Sequence, residues 1–174
     1  TYFAYLVGGM LRKIGCRFRP DETEEGSVDH LIRRAGSLFY EAFSGKMPLE
    51  KAVSDAVDMF RNMRIKKTLR PKVAILGDLY VRDNDIMNQN LIRCIEKAGG
   101  EVIITPISDF AKMVANTYAM RCLRKGNIRE ALIGKGTLLW AESLEKNYYK
   151  QFNRILREPP VQQTVDLKYI TETF

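Results

Sequence analysis

A chain of 174 residues, 45% hydrophobic and 28% charged, holds enough apolar material for one ordinary core, which excludes a disordered tract as the starting expectation. No apolar run approaches the roughly 20 residues of a bilayer span, and Thr1, Tyr2 and Phe3 lack the layout of a secretory signal, so a soluble protein with no membrane is expected, and three widely spaced cysteines, Cys16, Cys94 and Cys122, point to the reducing cytoplasm. An excess of 28 Lys and Arg over 21 Asp and Glu, +7 in all, raises an anionic partner without choosing among nucleic acid, a phosphorylated ligand and an acidic protein face.

The first predicted element is an amphipathic helix on Phe3, Leu6, Val7, Met10, Leu11 and Ile14, with Gly15 where a left-handed cap is expected. A polar loop, Arg19 to Gly26, leads to a second helix capped by Ser27, with Leu31, Ile32, Ala35, Leu38, Phe39, Ala42 and Phe43 as its stripe and Gly45 as its stop. Pro48 suits the first turn of a third helix that buries Leu49, Ala52, Val53, Ala56, Phe60 and Met63. Residues 1–69 thus form a helical segment.

At Arg70-Pro71 the pattern changes. Val73, Ala74, Ile75 and Leu76 form a short apolar run stopped by Gly77, as expected of a strand buried on both faces. Asn84 or Asp85 can cap a helix that faces Met87, Leu91, Ile92, Ile95 and Ala98 inward and ends at Gly99-Gly100. A second strand, Val102 to Thr105, stops at Pro106. Strand, helix and strand within this span make a βαβ unit, hence parallel pairing and a right-handed crossover. Ser108 begins a helix through Phe110, Met113, Val114, Thr117 and Tyr118 that closes near Gly126, so that residues 70–126 form a βαβα core unit. Residues 127–174 form a helical C-terminal segment, with Ile128, Leu132, Leu138, Leu139, Leu144, Tyr148 and Ile155 as its apolar residues. It is open to a break at Gly134 or Gly136, is stopped at Pro159-Pro160, and is followed by a short helix from Thr164 through Leu167 and Ile170.

The fold class is therefore α/β and helix-rich, the three segments making one structural unit around a βαβ piece of a flavodoxin-like or Rossmann-like parallel sheet. Parallel sheets are usually several strands wide and covered on both faces, whereas two strand candidates are visible. A start without Met and an end at Phe174 agree with the expectation that this is a piece of a longer protein.

Ligands of open α/β sheets sit beyond the carboxyl ends of the strands, which singles out the loops after Leu76 and after Thr105. Gly77, Asp78, Tyr80, Arg82 and Asn84 from the first and Ser108 from the second are the candidate binding residues, with Arg82 suited to a phosphate or carboxylate. Their bland alternative is structural: Gly77 makes a turn, Asn84, Asp85 and Ser108 are caps, and Arg82 pairs with Asp78 or Asp109. Neither a G-x-G-x-x-G turn nor a Walker loop is present, so nucleotide hydrolysis by this segment alone is not expected, and no catalytic residue or metal ligand is assigned. Lone His30 reads as a surface or boundary residue. Cys94 and Cys122 read as small core residues. Cys16, beside Arg12, Lys13, Arg17 and Arg19, has the electropositive setting that lowers a thiol pKa, although a structural thiol is the simpler reading. The basic run Arg61 to Lys72 has the charge to meet phosphates but lacks interleaved aromatics, so a solvated connector is expected rather than a nucleic-acid site.

The order of motifs, Gly8-Gly9-Met10-Leu11-Arg12-Lys13, Cys16-Arg17-Phe18-Arg19-Pro20, Arg70-Pro71-Lys72-Val73 and Gly77-Asp78-Leu79-Tyr80-Val81-Arg82 ahead of Asn84, resembles the CoA-substrate-specific enzyme activases, or activators of 2-hydroxyglutaryl-CoA dehydratase, in their dehydratase-subunit-like C-terminal region. The resemblance is densest from Arg70 to Phe110 and departs at Asp78, where relatives tend to have Glu. It implies an ATP-linked system in which a [4Fe-4S] protein drives an electron into a second iron–sulfur protein, with this segment as scaffold of the recipient-like half. The [4Fe-4S] cluster and ATP then belong to the full-length family, and no cofactor is assigned to this segment. The implied partners are the remainder of the same polypeptide or a dehydratase-like subunit, with a CoA ester and a homodimer also open. Two rival classes stand beside it: a small-molecule or nucleotide-binding regulatory module, and a structural interaction domain.

Overall fold

The computed structural model describes residues 2–156 apart from 67 and 106, and describes Leu79, Ile107, Asp109 and Leu144 by their backbone alone. The readings placed on Pro106, Pro159-Pro160, Thr164, Leu167 and Ile170 lie outside the described residues. Helix α1 spans Tyr2–Phe18 and buries Leu6, Val7, Met10, Leu11, Ile14 and Phe18, the stripe that its periodicity predicts. It does not stop at Gly15. A Cβ there would lie 2.5 Å from Arg19 Nη1 and 3.0 Å from Ile32 Cδ1, so glycine serves close packing rather than a left-handed cap.

A single 3-10 turn, Arg19–Asp21, leads toward α2, Ser27–Phe43. Ser27 is the first residue of α2 and not its side-chain cap. The Glu22 carboxylate takes that role, accepting from the amides of Gly26 at 3.0 Å and Val28 at 2.9 Å. Gly45, at φ 76°, leaves α2 as expected, and α3, Leu49–Arg61, begins directly after Pro48. Ala52, Val53, Ala56, Val57 and Phe60 of α3 pack with α1, with Val28, Ala35 and Phe39 of α2, and with Phe152 and Leu156 from near the end of the described chain. This is the larger of two apolar cores.

The second core belongs to the sheet. Strands β1, Lys72–Ala74, and β2, Glu101–Ile103, pair in parallel with Val73 opposite Val102, as the βαβ reading requires. The amide of Ile75 continues the ladder to the Ile103 carbonyl at 3.1 Å. Ile75, Ile92, Val102 and Ile104 form a small buried cluster with Cys16, which α1 contributes from the side opposite its helical core. The expected strand buried on both faces is not found at β1: Lys72, Val73 and Ala74 are exposed, and Ile103 of β2 is 44% exposed. The physical reason is sheet width, since a described sheet of two strands is covered by α1 and α5 on one side only.

The crossover also differs from the single long helix expected after Asn84. Helix α4, Leu79–Arg82, is one turn, and α5, Leu91–Lys97, is two. Gln89 and Asn90 stand at φ 55° and 56°, a left-handed pair that separates the turn capped by Asn84 from α5. Met87 is consequently exposed and Leu91 partly so, while Ile92 reaches the core.

Helices α6, Ile107–Arg124, and α7, Ile128–Leu156, form an antiparallel hairpin around Gly126 at φ 78°. Helix α7 runs unbroken through Gly134 and Gly136. At Gly134 a Cβ would meet the Ala119 Cβ at 3.4 Å, so the glycine sits where the two helices approach closely. The face of α6 expected to point inward does not: Phe110, Met113, Val114 and Tyr118 are exposed, and Ser108, Ala119 and Cys122 are buried instead. Small residues allow the backbones to approach, and they decide which face turns inward. The base of the hairpin is tied to the body by Tyr2 Oη donating to Glu145 at 2.6 Å, by Lys112 against the same carboxylate at 2.5 Å, and by Tyr148 Oη donating to Glu50 at 3.1 Å.

Helical core and sheet are joined through charge. Asp21, 3% exposed, accepts from Arg70 Nε at 3.2 Å and from the Thr68 amide at 3.3 Å, and its carbonyl accepts from the Lys66 amide at 2.8 Å. Asp21→Ala should therefore cost about 2 kcal/mol in urea unfolding followed by circular dichroism, because the bonds of its buried carboxylate to Arg70 Nε and the Thr68 amide are lost together. Asp58→Ala, which removes the exposed partner of Arg61 at 3.1 Å, should cost less than about 1 kcal/mol in the same measurement.

Candidate functional site at the strand ends

Parallel register sends the chain out of β1 and β2 at the same edge, so the segments that follow Leu76 and Thr105 leave from one rim. Gly77, at φ 138°, turns the chain out of the sheet in a conformation that strongly favours glycine. Asp78 Oδ1 then accepts from the Tyr80 amide at 2.9 Å and starts the α4 turn, leaving the Tyr80 ring exposed. Asn84 Oδ1 accepts from the amides of Ile86 at 3.0 Å and Met87 at 3.1 Å. These three positions act locally as turn and cap residues.

Arg82 is the buried side chain of the loop after β1, 7% exposed. Its Nε and Nη2 reach the two oxygens of Asp83, each at 3.2 Å, rather than Asp78. Its carbonyl accepts from Asn88 Nδ2 at 2.9 Å, which ties α4 to the turn ahead of α5. The guanidinium is thus occupied by a neighbouring carboxylate, and an incoming anion would have to displace Asp83. Ser108 is buried on the hairpin side, its hydroxyl 3.5 Å from that of Tyr149.

Sequence reasoning missed the residue that holds this rim in place. Arg12, from the middle of α1, donates through Nη1 to the Asp83 carbonyl and through Nη2 to Asp85 Oδ1, both at 3.1 Å. Its position just beyond the apolar stripe of α1 was the available signal, but the partner lies some 70 residues away in the chain. The rim therefore offers the Tyr80 ring, the Asp78 carboxylate and main-chain groups to solvent, around two guanidinium–carboxylate pairs, Arg82 with Asp83 and Arg12 with Asp85. Two grooves lie away from these loops. One of about 370 Å³ is lined by Arg34, Leu38, Asp55, Asp58, Met59 and Asn62 between α2 and α3. The other, of about 250 Å³, brings Arg17, Arg61 and Arg154 around Phe18, Phe60 and Leu156.

The cysteines depart from their readings in two places. Cys16 is fully buried against the sheet, and desolvation outweighs the opposing field of Arg19, pushing its thiol up to about 11 instead of lowering it. Burial disfavours the charge of Arg19, but its hydrogen bonds to Glu96 together with the nearby charges of Glu96 and Asp29 outweigh that and leave its pKa raised, so this guanidinium stays charged and is already paired. Cys94 is exposed, because the crossover helix is short, whereas Cys122 is buried as expected and lies 3.7 Å from Glu130 Oε2. His30 is exposed. Among the described residues, no three His, Cys, Asp or Glu side chains are grouped so as to hold a metal ion, and the separated thiols do not fit an iron–sulfur cluster within this chain. In the basic run, Arg61 and Arg70 are paired with Asp58 and Asp21, while Arg64 and Lys66 face solvent along the connector to β1.

With thiol-specific disulfide reagent at pH 8, Cys94 should react at once, and Cys16 and Cys122 only after denaturant is added. The Cys16 thiol also gives a signed pH effect. Its folded value of about 11 lies above the ordinary 9.0, so its contribution to stability is complete below pH 9 and is lost as pH rises toward 11. Cys16→Ala should flatten that part of the stability profile, read by unfolding at successive pH values.

Among the described residues, no helix is long and apolar enough to cross a membrane. Compared with known proteins, the chain matches no family model, no curated protein and no solved structure.

Proposed function

We propose that this chain is a scaffold segment of an ATP-linked electron-transfer activase of the kind that activates 2-hydroxyacyl-CoA dehydratases. It would belong to the dehydratase-like half and contribute part of a flavodoxin-like or Rossmann-like sheet. One observation supports the reading: the separate sequence elements that resemble that family meet in space. Arg12 of the first element bonds to Asp83 and Asp85 beside the Gly77–Asn84 element. The Pro20 carbonyl of the second accepts from Arg70 Nη2 of the third at 2.6 Å. Arg17, also in the second, pairs with Glu101 of β2 at 2.8 Å. Elements scattered over some 70 positions are thereby brought onto one small sheet, Arg12 bracing the carboxyl end of β1 and Arg17 and Arg70 the amino ends of the strands.

On this reading the segment performs no chemistry alone. It presents the strand-end rim, with the Tyr80 ring outermost, to a cluster-bearing or CoA-ester-bearing surface contributed by the remainder of the polypeptide or by a dehydratase-like subunit. Because Arg82 is buried against Asp83, its replacement would disturb folding as well as function, so Tyr80 is the cleaner probe.

The test uses the native polypeptide that contains these residues, purified without oxygen. Electron paramagnetic resonance after reduction should show a [4Fe-4S] signal, and reduction of an iron–sulfur acceptor should require ATP. Tyr80→Ala should slow that electron flow at least roughly tenfold, about 1.4 kcal/mol, with thermal stability unchanged. A protein with neither cluster signal nor ATP-dependent reduction overturns the reading, and an unimpaired Tyr80→Ala variant removes the rim from it.

A further inference from the structure

The α6–α7 hairpin distributes its side chains in an unusual way. Between residues 113 and 141 the buried positions are Ala119, Cys122 and Ala131, all small, and they face the opposing helix of the hairpin. The large apolar side chains point away. At about 100° per residue, Met113, Met120 and Leu123 share one side of α6. Ile128, Leu132 and Leu139 share one side of α7. Antiparallel packing through the small faces brings these two stripes to the same flank of the hairpin. All six are exposed, from 39% at Leu123 to 66% at Leu139. Trp140 and Ile133, also exposed, lie roughly 100° around α7 from Leu139, on the other flank.

The spacing on this flank is that of a bundle seam rather than of a solvated face. Met113, Asn116, Met120 and Leu123 follow each other at intervals of three and four, and Ile128, Leu132, Lys135 and Leu139 do the same. We infer that this flank is a self-association surface, on which a second copy of the chain lays its own hairpin to complete an antiparallel four-helix bundle.

Area, symmetry and charge favour a second copy. Six side chains of this size at these exposures offer on the order of 600–700 Å² per chain, so two flanks reach the ~1,200–2,000 Å² of a specific interface. A two-fold axis makes one flank its own partner, with the tip of each hairpin set beside the base of the other. The tip is basic, with Arg121, Arg124, Lys125, Arg129 and Lys135 against Glu130 alone between residues 119 and 141. An antiparallel arrangement keeps the two basic tips apart. Asn116 and Lys135, the polar residues in the stripes, favour one register by leaving any other with a buried polar mismatch.

Sedimentation equilibrium of the whole chain at micromolar concentration should give twice its mass of 20.0 kDa. Leu132→Glu with Leu139→Glu should give the monomer with an unchanged circular dichroism spectrum, since both side chains are on the surface. Leu132→Ala with Leu139→Ala, which adds no charge, should weaken association at least roughly tenfold. Trp140→Glu, on the other flank, should leave the dimer intact. A wild-type chain that stays at 20.0 kDa overturns the inference. So does a dimer that survives both Leu132/Leu139 variants, or a monomer that sediments with phosphatidylserine vesicles in place of a second copy.

Discussion

The ion pairs that hold the helical core to the sheet are concentrated in five consecutive residues, 17–21, where α1 runs into its 3-10 turn. Arg17 pairs with Glu101 of β2, Arg19 with Glu96 of α5 and Asp29 of α2, and Asp21 with Arg70 just before β1. Arg93 closes the ring by pairing with Asp29 at 2.6 Å. These charges lie largely out of water. Removing Arg17 would leave Glu101, 9% exposed, without its partner, which costs more than an exposed pair returns, whereas Arg19, Asp21, Asp29 and Glu96 each have a second partner. The apolar contact across the same joint is small, Cys16 against a handful of isoleucines and a valine, so directionality comes from the ion pairs. They set the angle at which the sheet meets α1, and Arg12 extends the same bracing to the rim loop.

That bracing changes what the basic character of the chain means. The arginines around Cys16 suggested an activated thiol, yet Arg12, Arg17 and Arg19 each have a carboxylate or carbonyl partner from a distant part of the chain. The field that would have lowered the thiol is outweighed by burial, with Glu96 offsetting part of it. Arg82 at the rim is also neutralised, but by its chain neighbour Asp83. The positive charge left facing solvent is concentrated elsewhere, along the connector before β1 and at the tip of the α6–α7 hairpin.

The hairpin and the sheet share one property: each turns apolar surface outward. Val73, Leu76 and Ile103 are exposed on or beside the strands, as are the stripes of α6 and α7. In the hairpin the cause is local. Ala119, Ala131 and Gly134 let two backbones approach, and that close contact takes the interior position which larger side chains would otherwise compete for. In the sheet the cause is width, because two strands present more apolar face than α1 and α5 cover.

Much of this architecture was legible one residue at a time. The stripes of α1, α2 and α3, the glycine turns at Gly45, Gly77 and Gly126, and the parallel pairing of the Val73 and Val102 segments follow from periodicity and from backbone constraints that act within a few residues. Where the reading failed, a long-range contact had reversed a local preference. Gly15 lies inside a helix because Arg19 and Ile32 need its space, and α6 turns Ser108 and Ala119 inward because α7 can approach only there. Cys16 holds its proton because it is covered by the sheet. The candidate rim residues and the local capping by Asn84 could be named from the sequence, but the brace that Arg12 supplies could not. A charge in the sequence carries no mark of which distant charge will neutralise it, and that choice exists only once the helices and strands have packed.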